Sequence, residues 1–117
     1  MAQDAPVLLG VFAHPDDESL ACGGLVARAA ALGARVVLVS LTRGEAGPAP
    51  DGDGAALGAR RVEEFSAAAR VLGAEAAVVL EHADGMLPWL DAAVIERDIR
   101  ALVAAHRPDV VVTFDAD

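Results

Sequence analysis

Four short apolar runs alternate along the chain with three longer segments in which apolar residues recur at helical spacing. The runs cover residues 7–13, 35–41, 76–80 and 109–114. Continuous apolar runs of this length, rich in β-branched residues, are typical of strands that are buried on both faces. They therefore predict four strands of a largely parallel sheet.

The segments between these runs predict helices over residues 20–32, 59–72 and 91–105. The first two end at Gly33 and Gly73, and glycine is common directly after a helix, while Asp91 can cap the third. Strict alternation of strand and helix predicts an α/β fold of three layers, with a mainly parallel sheet between helices. Residues 42–58 are rich in Gly, Pro and Asp and predict a long loop, which at this length is usually functional or mobile.

The length of 117 residues fits one domain, residues 1–117, and the charge excludes some classes of partner. Nine basic residues, all Arg, stand against 18 acidic ones, for a net charge of -9. Binders of nucleic acid or anionic membranes need a basic surface, so neither is expected. No apolar run is long enough to span a bilayer, and no basic residue precedes the first one. We therefore expect a soluble, cytoplasmic protein.

A cluster of chemically competent side chains follows the first predicted strand directly, in the segment His14-Pro15-Asp16-Asp17-Glu18. Open parallel sheets bind ligands at the carboxyl ends of their strands. If the chain turns tightly at Pro15, His14 and Asp17 can converge on one cation, and this donor pair suits Zn²⁺ or another divalent first-row metal. Asp16 would then be free to act as a base on metal-bound water.

A simpler interpretation is that the acidic residues only cap the next helix and favour its dipole, with His14 a polar residue at a strand edge. For a generic acidic run, capping is the better interpretation. The addition of His14 and Pro15 at the end of a buried strand shifts the balance towards a site.

The motif Ala-His-Pro-Asp-Asp-Glu-Ser-Leu at residues 13–20 resembles the signature of the PIG-L/LmbE-like deacetylases. Further segments resemble motifs of that family in the same order: Gly23-Gly24, Thr42-Arg-Gly-Glu-Ala-Gly47, Leu57-Gly58 with Arg61 and Glu64, Leu72-Gly73, and Asp84-Gly85. The resemblance implies a Rossmann-like fold and a zinc-dependent hydrolase that removes acetyl from an N-acetylglucosamine-type substrate, such as a GlcNAc-inositol.

The resemblance also implies roles for individual residues. It makes His14 and Asp17 metal ligands and Asp16 the general base. It further implies a set of substrate-binding residues, in which Arg61 contacts the sugar, Asp84 is a weaker contact for its hydroxyls and Glu45 belongs to the site wall. A structural alternative for Arg61 is an ion pair with Glu64, three residues later on the predicted helix.

One departure from the family is large, because its Gly-His-Pro-Asp-His motif, which supplies the third metal ligand, does not occur in this chain. We therefore expect the N-terminal part of a larger deacetylase domain, with some apolar sheet surface exposed and a tendency to form homo-oligomers. His82 and His106 are poor substitutes for the missing ligand, whereas Asp115 and Asp117 lie at the correct sheet edge.

Two other interpretations stay open from the sequence. One is a catalytically inactive fragment or a sugar-binding or interaction module that keeps the fold. The other is a nucleotide-binding module, which ranks last because the first strand is followed by carboxylates and not by Gly-x-Gly-x-x-Gly.

Overall fold

In the computed structural model, which describes residues 4–115, four strands alternate with three α-helices, as predicted. The order is β1 (Val7–Phe12), α1 (Asp17–Ala31), β2 (Arg35–Ser40), α2 (Gly54–Leu72), β3 (Ala76–Val79), α3 (Ala92–His106) and β4 (Val110–Val112). A 3₁₀ turn, Leu87–Trp89, lies between β3 and α3. None of the described helices is long and apolar enough to cross a bilayer.

The sheet is parallel throughout, and its strand order is β3-β2-β1-β4. Strand β1 is interior: Leu8 faces Val36 of β2 on one side and Val110 of β4 on the other. Parallel strands present all their carboxyl ends at the same edge of the sheet. The segments that follow β1, β2 and β3 therefore meet at that edge.

The core has one half on each face of the sheet, because successive side chains of a strand point to opposite faces. One half packs against α1 and α2 and comprises Leu8, Val26, Val36, Leu38, Phe65 and Ala69. The other half comprises Leu9, Val11, Val37 and Val39, with Ile99 and Leu102 of α3 packed against it. This division confirms the three-layer α/β architecture.

Burial on both faces holds for the central strands only. Strands β1 and β2 are almost wholly buried, β3 is half-buried, and Val110 and Val111 of β4 are 52% and 49% exposed. Strand β4 pairs with β1 alone among the described strands, and α3 has no buried residue. The prediction of exposed apolar sheet surface is thus confirmed, whereas homo-oligomer formation stays a prediction.

Two helices begin earlier than the sequence pattern predicted. Helix α1 begins at Asp17 and not at residue 20, and α2 begins at Gly54 and not at residue 59. The small Gly and Ala residues of the first turn of α2 obscured its period, but its N-cap is clear, because Asp53 accepts a hydrogen bond from the N–H of Ala56. The predicted loop is shorter as a result.

Candidate functional site

The chain turns back directly after β1 and brings the acidic motif to the edge of the sheet. Asp17 donates its N–H to the carbonyl of His14, 3.3 Å away, and its carboxylate accepts the N–H of His14 at 3.0 Å. Asp16 occupies the N-cap position of α1, yet its side chain makes no capping hydrogen bond. Helix capping therefore does not account for the Asp16 carboxylate, which is 54% exposed.

His14 and Asp17 converge as the sequence predicted, with Nδ1 of His14 3.3 Å from Oδ2 of Asp17. Two ligands of a tetrahedral zinc ion, with bonds of roughly 2.0–2.2 Å, lie about 3.3 Å apart. The pair therefore fits two positions of such a site. Within residues 4–115, no group of three or more His, Cys, Asp or Glu side chains is arranged to hold a metal ion.

Asp84, from the loop after β3, lies beside the other nitrogen of the His14 ring. Its Oδ1 lies 3.1 Å from Nε2 of His14, and its side chain is only 6% exposed. Its Oδ2 accepts the N–H of Ala46, and its own N–H donates to Oε2 of Glu45, both at 2.9 Å. Asp84 and Glu45, both predicted to contact substrate or line the site, are thus joined by one hydrogen bond, and Asp84 also binds the residue that follows Glu45.

Arg61 reaches the site from α2. Its Nη1 donates to the carbonyl of Gly44 at 2.9 Å, and its Nη2 lies 3.3 Å from Oδ1 of Asp16. The alternative of an Arg61–Glu64 ion pair is wrong, since these two contacts engage the guanidinium instead. Asp16, Arg61 and Glu64 line an open cavity of about 380 Å³, within the size range of small-molecule sites.

Two buried hydroxyls, those of Ser40 and Thr42, lie at the end of β2 and had no predicted role. Thr42 is fully buried, donates its Oγ1 to the carbonyl of Ala13 at 2.8 Å and accepts the N–H of Gly44 at 3.1 Å. Ser40 donates its Oγ to the carbonyl of Thr42 at 2.7 Å. Small polar residues that interrupt the end of a buried apolar strand were the available signal.

Glu18, the last carboxylate of the motif, lies in the first turn of α1 and is only 1% exposed. Its Oε1 accepts from Oγ of Ser19 at 3.0 Å, whereas its Oε2 has no hydrogen-bond partner. Burial is the main reason that the pKa of Glu18 lies above its ordinary value. Burial also raises the pKa of Cys22, which favours packing over thiol chemistry for that residue.

Replacing Glu18 with Gln should raise the free energy of unfolding at neutral pH by about 1–3 kcal/mol, because the amide carries no charge at this buried position. A carboxyl whose pKa is raised by folding stabilises the folded state while protonated, and this contribution is lost as pH rises through the folded-state pKa. The gain from Glu18→Gln should therefore be larger at pH 8 than at pH 4. Denaturant unfolding of both proteins in the presence of a chelator measures it; a less stable variant at pH 8 would contradict it.

The other candidate ligands that the sequence offers are His82, His106, Asp115 and Asp117. His82 is partly buried, and its Nε2 lies 2.8 Å from Oδ2 of Asp98 on α3. His106 is the last residue of α3. Asp115 follows β4, and Asp117 lies outside the described residues. Trp89, the single Trp, is 75% exposed and so lies outside the core.

Comparison with protein families gives a match to the PIG-L model, GlcNAc-PI de-N-acetylase, over residues 9–117. A 1D-myo-inositol 2-acetamido-2-deoxy-alpha-D-glucopyranoside deacetylase of Mycobacteroides abscessus is 38% identical over 135 aligned residues, covering 92% of this chain and 47% of that protein. The enzyme of the same name from Mycobacterium tuberculosis is 35% identical, covering 96% of this chain and 45% of that protein. The chain thus spans about half the length of these curated relatives.

Solved structures with the same fold include proteins of two kinds of chemistry. An N,N'-diacetylchitobiose deacetylase from Pyrococcus horikoshii is similar with a TM-score of 0.84 and 29% identity, over 93% of this chain and 40% of that one. A 4-carboxy-2-hydroxymuconate hydratase from Pseudomonas putida KT2440 is similar with a TM-score of 0.78 and 27% identity, over 91% of this chain and 45% of that one.

Proposed function

Because the chain belongs to the PIG-L family, GlcNAc-PI de-N-acetylase, we propose that it serves the hydrolysis of an N-acetyl group on an N-acetylglucosamine-type sugar. We propose a GlcNAc-inositol as the substrate, because the two mycobacterial relatives are deacetylases of such a compound. The observation that carries the proposal is the His14–Asp17 pair, together with the neighbouring Asp16 carboxylate, which makes no capping hydrogen bond. A cytoplasmic location belongs to the same proposal.

His14 and Asp17 would hold the metal, which we propose to be Zn²⁺ or another divalent first-row ion. When bound, such an ion polarises the acetyl carbonyl and lowers the pKa of water. The described residues offer two of the three protein ligands that catalytic zinc sites usually have, so a further ligand must join them.

Asp16 would act as the general base. It precedes Asp17 in the chain, is half-exposed at the mouth of the cavity, and can accept a proton from a water molecule near the metal ligands. Arg61 lies beside this carboxylate, with its Nη2 3.3 Å from Oδ1 of Asp16, and can hold it in place at the edge of the cavity. The proton taken from water is then available for the amine that leaves when the C–N bond breaks.

Substrate recognition is proposed for the cavity beside Asp16. Arg61 lines it and is 20% exposed, so its guanidinium can reach a sugar hydroxyl or acyl oxygen without leaving Gly44. Glu45 belongs to the wall of the site through its hydrogen bond to Asp84. A contact from Asp84 to a sugar hydroxyl stays a prediction.

The proposal is tested by acetate release, because a fold shared with a hydratase does not by itself define the reaction. The assay uses this chain and, if its coding sequence continues, the longer polypeptide, with GlcNAc-inositol, N,N'-diacetylchitobiose and the hydratase substrate. We expect acetate from an N-acetyl sugar, loss of activity after chelation and recovery with zinc. A zinc-loaded protein that releases no acetate, or that hydrates 4-carboxy-2-hydroxymuconate instead, would contradict the proposal.

A further inference from the structure

We propose that Asp84 is a positioning residue that fixes the imidazole of His14 from the side opposite Asp17. The inference rests on the proposed role of His14 and Asp17 as metal ligands. Oδ1 of Asp84 lies 3.1 Å from Nε2 of His14, while Oδ2 of Asp17 lies 3.3 Å from Nδ1. The ring therefore stands between two carboxylates, one at each nitrogen.

The two ring nitrogens of His14 then have different tasks. A carboxylate opposite Nε2 favours a hydrogen on that nitrogen, because an unprotonated Nε2 would point its lone pair at a negative oxygen. Nδ1 lies 3.3 Å from Oδ2 of Asp17, which is the other proposed ligand, so a metal shared by the pair would be bound through Nδ1. Carboxylates that hold the second nitrogen of a ligating histidine orient the ring and increase its strength as a ligand.

Asp84 is buried and held by hydrogen bonds, as a residue that positions another side chain must be. Its side chain is 6% exposed, and its Oδ2 is occupied by the N–H of Ala46 at 2.9 Å. Its backbone N–H donates to Oε2 of Glu45 at 2.9 Å, so each residue of the pair holds the loop of the other. Glu45 keeps this position although its Oε1 is buried without a hydrogen-bond partner.

The same loop also fixes the backbone beside His14. Thr42 donates to the carbonyl of Ala13 and accepts from the N–H of Gly44, directly before the Glu45–Ala46 contacts with Asp84. His14 is thus held at its backbone through Thr42 and at its ring through Asp84. Loss of Asp84 should weaken metal binding even where substrate is absent, which a contact to a sugar hydroxyl would not do.

The first experiment measures zinc affinity of the metal-free protein by competition with a chromogenic chelator. Asp84→Ala should bind zinc roughly 10–100-fold more weakly than wild type. Asp98→Ala is the matched control, because it removes the carboxylate from the other close His–Asp pair, at His82, and should leave zinc affinity unchanged. Thermal unfolding shows whether each variant folds; if Asp84→Ala does not, Asp84→Asn, which removes the charge but keeps the shape, takes its place.

Two further measurements separate positioning from other roles. Glu45→Ala should weaken zinc binding, whereas Glu45→Gln should not, because an amide oxygen can still accept the N–H of Asp84. Asp84→Ala should lower kcat at sub-saturating zinc with little change in KM. Unchanged zinc affinity with a raised KM would overturn the inference and make Asp84 a substrate contact. A wild-type protein that binds zinc but releases no acetate would overturn the proposed function alone.

Discussion

Replacing Asp16 with Asn should lower kcat for deacetylation by a factor of roughly 10²–10⁴, the usual contribution of a positioned general base. The amide keeps the size of the carboxylate and can keep an oxygen towards Nη2 of Arg61, 3.3 Å away in the wild type. It cannot take a proton from water at neutral pH. Initial rates of acetate release across a range of substrate concentrations measure the effect.

Zinc affinity provides the control for Asp16→Asn. Asp16 is not in the proposed ligand pair, so the variant should bind zinc as wild type does, and its KM should change little. Asp17→Asn is the matched contrast, since it alters a proposed ligand one residue away and should weaken zinc binding. Equal rates for wild type and Asp16→Asn would remove Asp16 from the role of base.

Replacing Gly44 with Ala should destabilise the protein by about 2–4 kcal/mol and reduce deacetylation at least tenfold. Gly44 has φ +68°, where a residue with a side chain costs about 1–3 kcal/mol. Its Cβ would also overlap the guanidinium of Arg61. Arg61 would have to move, which loses its 2.9 Å hydrogen bond to Gly44, about 1 kcal/mol, and its contact with Asp16.

Gly52→Ala separates backbone strain from displacement of Arg61. Gly52 has φ +74°, but a Cβ there would meet nothing within 4 Å. Gly52→Ala should therefore lower the free energy of unfolding only by the cost of a positive φ, and it should leave acetate release unchanged. Denaturant unfolding and initial rates of acetate release compare the two variants. Equal losses of activity in both, or no loss in Gly44→Ala, would contradict a functional role for the position that Arg61 takes against Gly44.

Strand positions were predictable to within a few residues because the four strands are short, apolar and bounded by polar residues. Helix beginnings were not, since the small residues after Asp53 lack a clear period and only the cap marks the start of α2. The half-exposed β4 could not be foreseen strand by strand. Periodicity reports that a residue is apolar, and not whether a neighbouring element covers it.

The closeness of His14 and Asp17 was predictable because they are three residues apart in one turn, so local geometry brings them together. The contacts of Arg61 and Asp84 were beyond pattern analysis for the opposite reason. Each joins residues far apart in the chain, and the family resemblance placed both against the sugar without their protein partners. The burial of Glu18 was likewise hidden, because its neighbours in sequence are exposed or polar.

The order of amino acids is therefore enough to establish the alternating α/β plan, the family and the cluster of His14, Asp16 and Asp17 at the end of β1, since each depends on residues close in sequence. Which side chains surround that chemistry depends on the parallel sheet, which brings the ends of β1, β2 and β3 to one edge. There the loop after β2 contacts both Arg61 and Asp84, and through them Asp16 and His14. The burial and the long-range hydrogen bonds at this edge arise only when the three loops come together, so they cannot be derived from any one segment of the sequence.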